Sequence, residues 1–485
     1  MRCRAVSTVI DTLVIGGGTA GCVLAARLSA DPDHQVVLLE AGISAQLELR
    51  SATRLPLEPD APWLWRYPVT LAPGVSGNIV RGKVIGGSGV VNGGYFARAS
   101  AADFAAWSTA AGSDLWSFEA VLPAYRRMES DLDFGVRPEH GTEGPIPVRR
   151  VADPVATSLE FAESAVGLGF AEIPDLNGVD AAATGVARVP CNIADGVRMD
   201  AGSAYLLPAS TRPNLTVVAD AMVTRIVFRG ARAIGAEVRR AGLVEMVSAG
   251  RIVLCAGAVE SAALLMRSGV GPPDELRAFG IEVVAAAPVG AWCVDHPEIG
   301  LEYGAAADSA TVPLEYVLAL DDIEIRPYTV RFRPGVGSVG VAAMRPRSGG
   351  ELRLRSGHPD DPPLIDFGYL SAKADRVRLR AGVAVADAVL RGMGVTPLDP
   401  PPAGRSPGND SWLMSKLGTS QHLSGTCRMG PEGDALAVVD ARCAVRGVDG
   451  LFVVDLSVAP VPLSRGPHAT VALIAERAAQ WLGLS

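Results

Sequence analysis

The sequence predicts an α/β protein of two domains, the first of which begins as a parallel, doubly wound sheet. Ile10 and the apolar run Leu13 to Ile15 are followed by glycines and an Ala/Leu-rich stretch, the order typical of strand, turn and helix. A second apolar run, Val36 to Leu39, ends in an acid. The chain has 485 residues, 48% hydrophobic and 20% charged, so it can bury more than one core.

The first element after the opening strand is a glycine turn, within "DTLVIGGGTAGCVLAARLSADPDHQVVLLEAG" at 11–42. Gly16 permits a tight turn, Gly18 lets the backbone approach a pyrophosphate, and Gly21 lets the next helix pack closely on the strand. Glycine-rich turns occur in many α/β proteins, and it is the two strands and the acid in register that favour dinucleotide binding.

The helix from Thr19 to Leu28 contains no proline, and its first N–H groups, at Thr19 and Ala20, are expected to face phosphate. Glu40, followed by Ala41, ends the second strand. A carboxylate at this spacing accepts hydrogen bonds from a ribose diol and repels a 2′-phosphate. The unit therefore predicts a dinucleotide with a free ribose diol.

Composition excludes several other functions. A net charge of −8, with no basic tract, argues against a nucleic-acid surface. We expect no metal site, since no zinc-type cysteine spacing occurs, and the seven scattered cysteines are expected to be reduced. No apolar run of about twenty residues or secretory leader is visible, which predicts a cytoplasmic protein without a transmembrane segment. Peripheral membrane contact stays open.

Further along the chain, residues 81–98 contain six glycines and suit neither helix nor strand, so we expect this segment to lie along a ligand. Residues 115–171 have helical spacing, and 214–255 predict a meander of three or four strands. Short strands with proline-rich turns are expected from about 288 to 370, a candidate substrate domain. Helices are expected over 375–393 and from about Thr470 to Leu482.

Several of these segments together resemble the glucose–methanol–choline (GMC) oxidoreductases, which are FAD enzymes. "RGKVIGGSGVVN" at 81–92 is similar to the first family signature, and "GAVESAALLMRSGVG" at 257–271 to the second, with Ala262 where Pro or Ser is usual. "PVGAWCVDHP", "HLSGTCRMGP" and the tail "VDGLFVVDLSVAP…GPHATVALIAERAA" follow in family order. The resemblance implies FAD and a GMC fold, a Rossmann-like FAD-binding domain joined to an α+β substrate domain on an antiparallel sheet.

The resemblance also implies domain limits and cofactor contacts. The FAD-binding domain would comprise 1–150, 190–290 and 405–485, and the substrate domain 151–189 and 291–404. Beyond the opening unit, residues 81–94 would cover the flavin and pyrophosphate. The main chain of Val223 in the meander would pair with adenine, and Asp455 with Leu456 would lie by the phosphate and ribityl chain. Those residues are Arg81, Gly86, Gly87, Asn92, Gly93, Gly94, Val223, Asp455, Leu456, Pro467 and His468. Leu456 stands where a smaller residue is usual.

Oxidation of an alcohol needs a base beside the hydroxyl, a role that suits histidine. His34, His140 and His358 lie in polar stretches and are expected to be solvated loop residues. His296 is expected to have a structural role, as a turn cap or core hydrogen-bond partner. His422 stands where the family places its active-site base, so the resemblance implies that it is catalytic.

The residue that usually partners this base is missing. The family commonly has His or Asn immediately before a proline, four residues ahead of the Thr that opens the last helix, and here Gly466 occupies that place before Pro467. His468 is the nearest polar residue that could substitute, so it is assigned both a catalytic and a cofactor role. The dipole of the last helix is expected to stabilise negative charge on the reduced flavin.

The resemblance thus implies oxidation of a small-molecule alcohol by hydride transfer to flavin N5, with His422 as base. The compact second domain and "RGPHAT" resemble the mycofactocin-associated subgroup, which implies a dehydrogenase that passes electrons to a respiratory acceptor and not to oxygen. Three alternatives stay open: a hydroxynitrile-lyase-type flavoprotein with redox-silent FAD, an oxygen-using alcohol oxidase, and an NAD(H)-binding protein that uses only the opening motif.

Overall fold

A computed structural model describes residues 10–44, 47–179, 181, 184–305, 311–402 and 408–483. Two large sheets dominate this part of the chain. One is mainly parallel and the other mainly antiparallel, and each is covered by helices. The predicted α/β class, with a Rossmann-like unit joined to a second α+β unit, is confirmed.

The parallel sheet contains the opening unit. Its strands lie side by side in the order Leu215–Val218, Val36–Leu39, Ile10–Ile15, Leu243–Leu254. Leu451–Val453 pairs in parallel with the carboxyl-terminal part of Leu243–Leu254. The strands end together, as parallel strands do, so the turns after Ile15, Leu39 and Leu254 lie at one edge where ligands bind in such sheets.

The predicted meander is present and extends this sheet. Met222–Arg229, Arg232–Arg240 and the first half of Leu243–Leu254 form antiparallel ladders. The strand Leu243–Leu254 is 12 residues long because its second half enters the parallel core, where Ile252 to Leu254 are buried. One strand thereby joins the two arrangements.

The second large sheet forms the wall opposite the parallel edge. Its seven strands follow the order Leu417–Thr419, Pro297–Gly304, Val336–Ala343, Ile323–Arg333, Tyr316–Leu320, Thr184–Arg188, Glu172–Ile173. Ala156–Gly167 and Lys373–Gly392 pack on it. The strands between 288 and 370 are longer than expected, since Ile323–Arg333 has 11 residues. The stretch 115–171 forms helices at Phe118–Met128 and Ala156–Gly167.

The remaining elements are smaller. A four-stranded sheet contains Glu351–Arg353, Leu364–Asp366, Leu64–Ala72 and Val75–Gly82, and two-stranded pairs join Glu129–Asp131 to Ile146–Val148, Ile193–Ala194 to Val197–Arg198, and Val270–Gly271 to Ala285–Ala286. The other helical segments are Thr19–Leu28, Leu47–Arg50, Ser88–Val91, Ala101–Ala111, Asp114–Trp116, Gly202–Leu206, Leu207–Ala209, Gly257–Arg267, Pro273–Ala278, Gly408–Ser415, Leu456–Val458 and His468–Leu482.

Two expectations about local structure were wrong. Residues 81–98 are not wholly irregular, because Val75–Gly82 is a strand and Ser88–Val91 a short helix. His140 is not a solvated loop residue but is buried between three carboxylates: its Nδ1 lies 2.8 Å from Glu129 Oε1 and 3.2 Å from Asp131 Oδ2, and its Nε2 lies 2.8 Å from Asp175 Oδ2. The polar residues next to His140 in the sequence indicated that it is exposed to solvent, but the fold buries it and brings charged partners to it.

No helix in the described ranges has the length and apolar character needed to cross a bilayer. The cysteines in the described ranges are free thiols, and all are buried: Cys22, Cys191, Cys255, Cys293, Cys427 and Cys443. Cys3 lies outside the described residues.

Candidate active site

A cavity of about 620 Å³ runs from the edge of the parallel sheet to the face of the antiparallel sheet. Most of the sequence-predicted site residues line it: Gly16, Gly18, Thr19, Ala20, Glu40, Ala41, Arg81, Gly87, Asn92, Gly93, Val223, His422, Asp455, Leu456, Pro467 and His468. Gly21, Gly86 and Gly94 do not line it. They act beneath the surface, since a Cβ on Gly21 would lie 1.9 Å from the Gly16 oxygen and one on Gly86 2.2 Å from Asp200 Oδ1.

The glycine turn has two kinds of glycine. Gly16 has φ +103°, a left-handed conformation that favours glycine, and a Cβ there would lie 2.6 Å from the Cys255 oxygen. A Cβ on Gly18 would meet only the Gly87 Cα, at 3.9 Å. Gly16 and Gly21 therefore serve the fold, and so does Gly87, where φ is +57° and a Cβ would lie 2.6 Å from the Gly18 Cα. Gly18 alone of these four keeps space free of a side chain for a ligand.

Glu40 closes the end of this space. Its Oε2 accepts from the Gly17 N–H at 2.7 Å and its Oε1 from the Gly42 N–H at 2.8 Å. Burial nonetheless raises the pKa of the Glu40 carboxyl to about 7. A carboxylate held in place by two main-chain donors, with lone pairs left over, is suited to accept hydrogen bonds from a diol.

Asp455 joins the second signature to the carboxyl-terminal tail. Its Oδ2 accepts from the Gly257 N–H at 2.9 Å and the Ser261 hydroxyl at 2.6 Å, and its Oδ1 from the Ser457 N–H at 2.9 Å. It thereby fixes the amino-terminal end of Gly257–Arg267, the second signature, against the tail. Burial raises the pKa of Asp455.

Around His422 the site is assembled from loops that are far apart in sequence. His422 Nδ1 lies 2.9 Å from His296 Nδ1; His422 is partly exposed and lines the cavity, whereas His296 is buried behind it. Asp295 Oδ1 accepts from the main-chain N–H groups of both histidines, at 2.7 Å each. His296, expected to be structural, is therefore a direct neighbour of the predicted base.

The residue before His422 is conformationally unusual. Gln421 has φ +67°, which costs energy for a residue with a Cβ. Its side chain offsets this, because Gln421 Oε1 accepts from the Val80 N–H at 2.8 Å and Gln421 Nε2 donates to the Asn78 oxygen at 3.3 Å. The strand Val75–Gly82 thus sets the direction from which His422 enters the cavity.

His468 lies beside the glycine segment. Its Nδ1 lies 3.2 Å from Asn92 Nδ2, so the amide donates and the ring accepts, which leaves the proton on Nε2. A Cβ on Gly89 would lie 3.2 Å from His468 Nε2 and 3.2 Å from the Thr19 hydroxyl oxygen. Burial, with Arg198, lowers the pKa of His468 to about 4. A neutral ring with an N–H near Thr19 and Gly89 is suited to hydrogen-bond a cofactor.

The empty position at Gly466 has a steric cause. A Cβ there would lie 2.7 Å from Tyr95 Cδ1 and 3.8 Å from His422 Cε1. The Tyr95 ring thus fills the volume that a side chain at 466 would enter, beside the predicted base. The Tyr95 hydroxyl is directed elsewhere and donates to Glu324 Oε1 at 2.8 Å.

Sequence reasoning missed the residues of the antiparallel wall. Glu298, Arg326, Tyr328 and Ser420 line the same cavity, with Glu324 behind them. Only Glu298 had a signal, since it follows "DHP" directly; the others lie on separate strands with no spacing that links them.

The residues fit FAD. Main-chain N–H groups without side chains, a diol acceptor and a long cavity match a dinucleotide, and His422 lines the same cavity. The class of protein defined by this fold and site is a nucleotide-dependent oxidoreductase.

The family is shown by comparison with known proteins. Residues 10–298 and 346–475 match the two parts of the GMC oxidoreductase family. The chain is 44% identical to an "uncharacterized GMC-type oxidoreductase in thcA 5'region" of Rhodococcus erythropolis, over 96% of this chain and 97% of that protein. The chain belongs to the GMC oxidoreductases and is an FAD-dependent enzyme, as the resemblance implied.

Two further relatives bear on function. The chain is 32% identical to an oxygen-dependent choline dehydrogenase of Staphylococcus xylosus, over 96% of this chain and 94% of that protein. It is also similar to the crystal structure of pyridoxine 4-oxidase from "Mesorbium loti", with a TM-score of 0.91 and 30% identity over 97% of this chain and 98% of the other. Related proteins thus carry the names of enzymes that oxidise different alcohols.

Proposed function

We propose that this enzyme oxidises a small-molecule alcohol to a carbonyl compound, with His422 Nε2 accepting the hydroxyl proton, and delivers the electrons to an acceptor other than oxygen. The observation that carries the proposal is the contact between His422 and His296, because it decides which nitrogen of His422 is free. FAD, when bound, supplies the hydride acceptor.

The proton positions in the histidine pair follow from the state of His296. Burial, with Arg326, lowers the pKa of His296 to about 3, so the ring is neutral and carries one proton. The main-chain carbonyls of Leu463 and Met344 accept a hydrogen bond from this ring. Since His296 Nδ1 faces His422, the proton is on His296 Nε2, and His296 Nδ1 is an acceptor.

His422 Nδ1 must then donate to His296 Nδ1, so the single proton of the neutral His422 ring is assigned to Nδ1. A neutral imidazole has one N–H, so His422 Nε2 keeps its lone pair. Burial, then His296, Arg326 and Arg81, lower the pKa of His422 well below its usual range. The free-base form required of a general base is therefore present at neutral pH.

Other residues orient this base. Asp295 holds the main chain on either side of the histidine pair, and Gln421 fixes the entry of His422. Tyr95 closes the space at Gly466, which limits water beside the base. In the proposal His468 and Asn92 contact the cofactor together with residues 81–94, and Pro467 is the N-cap residue of the last helix. The proposed domain limits are unchanged.

The acceptor and the compartment are the finer parts of the proposal. The resemblance of "RGPHAT" to the mycofactocin-associated subgroup supports a respiratory acceptor. The buried free thiols of the described residues support the cytosol.

The test is anaerobic addition of primary alcohols to the yellow holoenzyme. We expect the flavin absorbance to bleach, with one carbonyl product formed per flavin reduced. Reoxidation is then compared between air and an artificial quinone acceptor, and the proposal expects the quinone to be faster.

The alternatives give different results. A lyase with redox-silent flavin releases a carbonyl from a cyanohydrin without bleaching. An oxidase reoxidises in air as fast as with quinone, which would overturn the acceptor but leave alcohol oxidation intact. Bound flavin that no alcohol bleaches would overturn the proposed reaction.

A further inference from the structure

We infer that the pocket is built for an uncharged alcohol, and that Arg326 is the specificity-determining residue because it neutralises two carboxylates on the antiparallel wall. The inference rests on the proposed alcohol oxidation and adds the chemical class of the substrate. Its basis is a chain of contacts that begins beside His422.

The first carboxylate is Glu298. It lines the cavity with a largely buried side chain that is held by three neighbouring side chains. Its Oε1 accepts from the Tyr328 hydroxyl at 2.9 Å, and its Oε2 from the Ser420 hydroxyl at 2.7 Å and Arg326 Nη1 at 3.0 Å. Taken alone, Glu298 would attract a cationic substrate.

The second carboxylate is Glu324, which is fully buried behind Tyr95. Its Oε2 accepts from Arg326 Nε at 3.0 Å and from Arg326 Nη2 at 2.8 Å, so two donors of one guanidinium converge on a single oxygen. Arg465 Nη1 lies 3.6 Å from the other oxygen of Glu324.

Arg326 is saturated by these partners. Its Nε donates to Glu324; Nη1 donates to Glu298 and to the Ser420 hydroxyl at 2.9 Å; Nη2 donates to Glu324 and to Met344 Sδ at 3.1 Å. All five N–H donors of a guanidinium are thereby used. Arg326 therefore has no donor left for a substrate anion, although it lines the cavity.

The charges around His422 cancel. Glu298 and Glu324 carry two negative charges, and Arg326 and Arg465 carry two positive charges. Arg81, which lines the cavity, interacts with Asp295, so that their charges offset one another, and both histidines are neutral. Among the described residues this end of the cavity is polar but without net charge.

A pocket of this kind does not repay the desolvation of an ionic ligand. A quaternary ammonium group gains from a carboxylate only while that carboxylate is not already paired. The remaining lining, Pro313, Leu314, Tyr95 and Phe332, supplies apolar surface. An uncharged alcohol with an apolar body fits both the charge balance and this surface.

The test uses matched pairs of alcohols of equal shape. The first pair is choline and its uncharged carbon isostere, in which a tert-butyl group replaces the trimethylammonium group. The second is benzyl alcohol with a para tert-butyl or a para trimethylammonium group. Anaerobic stopped-flow gives the second-order rate constant for flavin reduction, and perturbation of the flavin spectrum gives the dissociation constant.

In the pair that reduces the flavin faster, we expect the rate constant of the uncharged alcohol to exceed that of the cationic alcohol by at least about tenfold. Arg326→Met should shift the ratio of the rate constants for choline and its isostere toward choline by about tenfold or more. The reason is that Glu298 and Glu324 are then left with Arg465 as their positive partner. Arg326→Lys keeps the charge and is the matched control, with a ratio near the parental value.

Glu298→Gln covers the case in which Arg326→Met does not retain FAD. It leaves an excess positive charge and should move the ratio further toward the isostere. A parental preference for the cation in either pair, or a folded Arg326→Met enzyme with an unchanged ratio, would overturn the inference. If no alcohol bleaches the flavin, the proposed reaction has failed, and the order of the dissociation constants still decides the charge question.

Discussion

The cavity has two halves built in different ways. Along the cofactor half the chain presents mostly main chain, from Gly16 to Ala20 and Gly87 to Gly93, with a few ionisable side chains such as Glu40. Around His422 it presents side chains, held by contacts such as Arg326 with Glu298 and Glu324. Binding in the cofactor half therefore depends on the positions that carry no side chain. Binding around His422 depends on which charged side chains are already paired with one another.

The largest expected effect separates two glycines of the cofactor half. Gly18→Val should abolish FAD binding yet leave a cooperatively folding protein, because a Cβ on Gly18 meets nothing closer than 3.9 Å in the fold itself. Gly21→Val is the matched variant and should prevent folding, since its Cβ would lie 1.9 Å from the Gly16 oxygen. Bound flavin is measured by absorbance and folding by circular dichroism.

Normal FAD content in Gly18→Val would contradict this description of the cofactor half, because the half would then tolerate a side chain at a position that must be free for the cofactor.

The second prediction concerns the buried charge cluster around His140 and tests whether this cluster contributes to the reaction. Both ring nitrogens of His140 face carboxylates, so both donate and the ring is charged. Burial alone would lower its pKa, but hydrogen bonds to Asp131, Asp175 and Glu129 raise it to about 10. His140→Gln should cost about 3–5 kcal/mol of unfolding free energy, because buried carboxylates lose their partner.

The sign of the pH dependence follows from the raised pKa. The stabilisation is fully present below the ordinary histidine pKa of 6.5 and is lost as the pH rises toward about 10. Denaturant unfolding of the parental protein and of His140→Gln across this range checks it. The rate of flavin reduction in folded His140→Gln should equal the parental rate; a large drop would tie this cluster to the reaction.

The third prediction concerns Glu40, in the cofactor half. Glu40→Ala should weaken FAD binding by about 1.5–3 kcal/mol, the range for a hydrogen bond to a charged group. The enzyme that remains loaded should be reduced at the parental rate, because Glu40 lies at the opposite end of the cavity from His422. The dissociation constant of FAD is measured by fluorescence, and an unchanged value would remove Glu40 from the cofactor site.

The smallest effect is expected from pH on the reaction itself. Because the pKa of His422 is lowered well below its usual range, its Nε2 is a free base throughout the neutral region. Flavin reduction should therefore be nearly constant from about pH 6 to about pH 9 and fall only in acid. A sigmoidal rise centred near the ordinary histidine pKa would show that His422 is not held in the neutral environment described.

The two halves also differ in how far the sequence could predict them. The cofactor half was predictable because Gly16, Gly18, Gly21 and Glu40 lie within one strand–turn–helix–strand unit, where spacing fixes geometry. The wall was not, since Glu298, Arg326 and Ser420 meet only through strand pairing between distant segments.

Histidine roles show the same limit. His422 was identified because its segment resembles the corresponding segment of the family. Its contact with His296 joins residues 126 positions apart, and no local feature of the sequence indicates this contact. His140 was misjudged for a related reason, because its partners Glu129 and Asp175 are brought together by the fold. The glycine at 466 became explicable only when Tyr95 was placed beside it.

The central claim is that His422 takes the proton, and single-turnover reduction of His422→Ala tests it most directly. With one alcohol that bleaches the parental flavin, anaerobic stopped-flow should show a rate lower by about 10²–10⁴-fold, the usual contribution of a positioned general base. FAD content and thermal unfolding should stay near the parental values, because the cofactor half is untouched. A His422→Ala enzyme with full FAD that is reduced within a few-fold of the parental rate would contradict the account and place the base elsewhere.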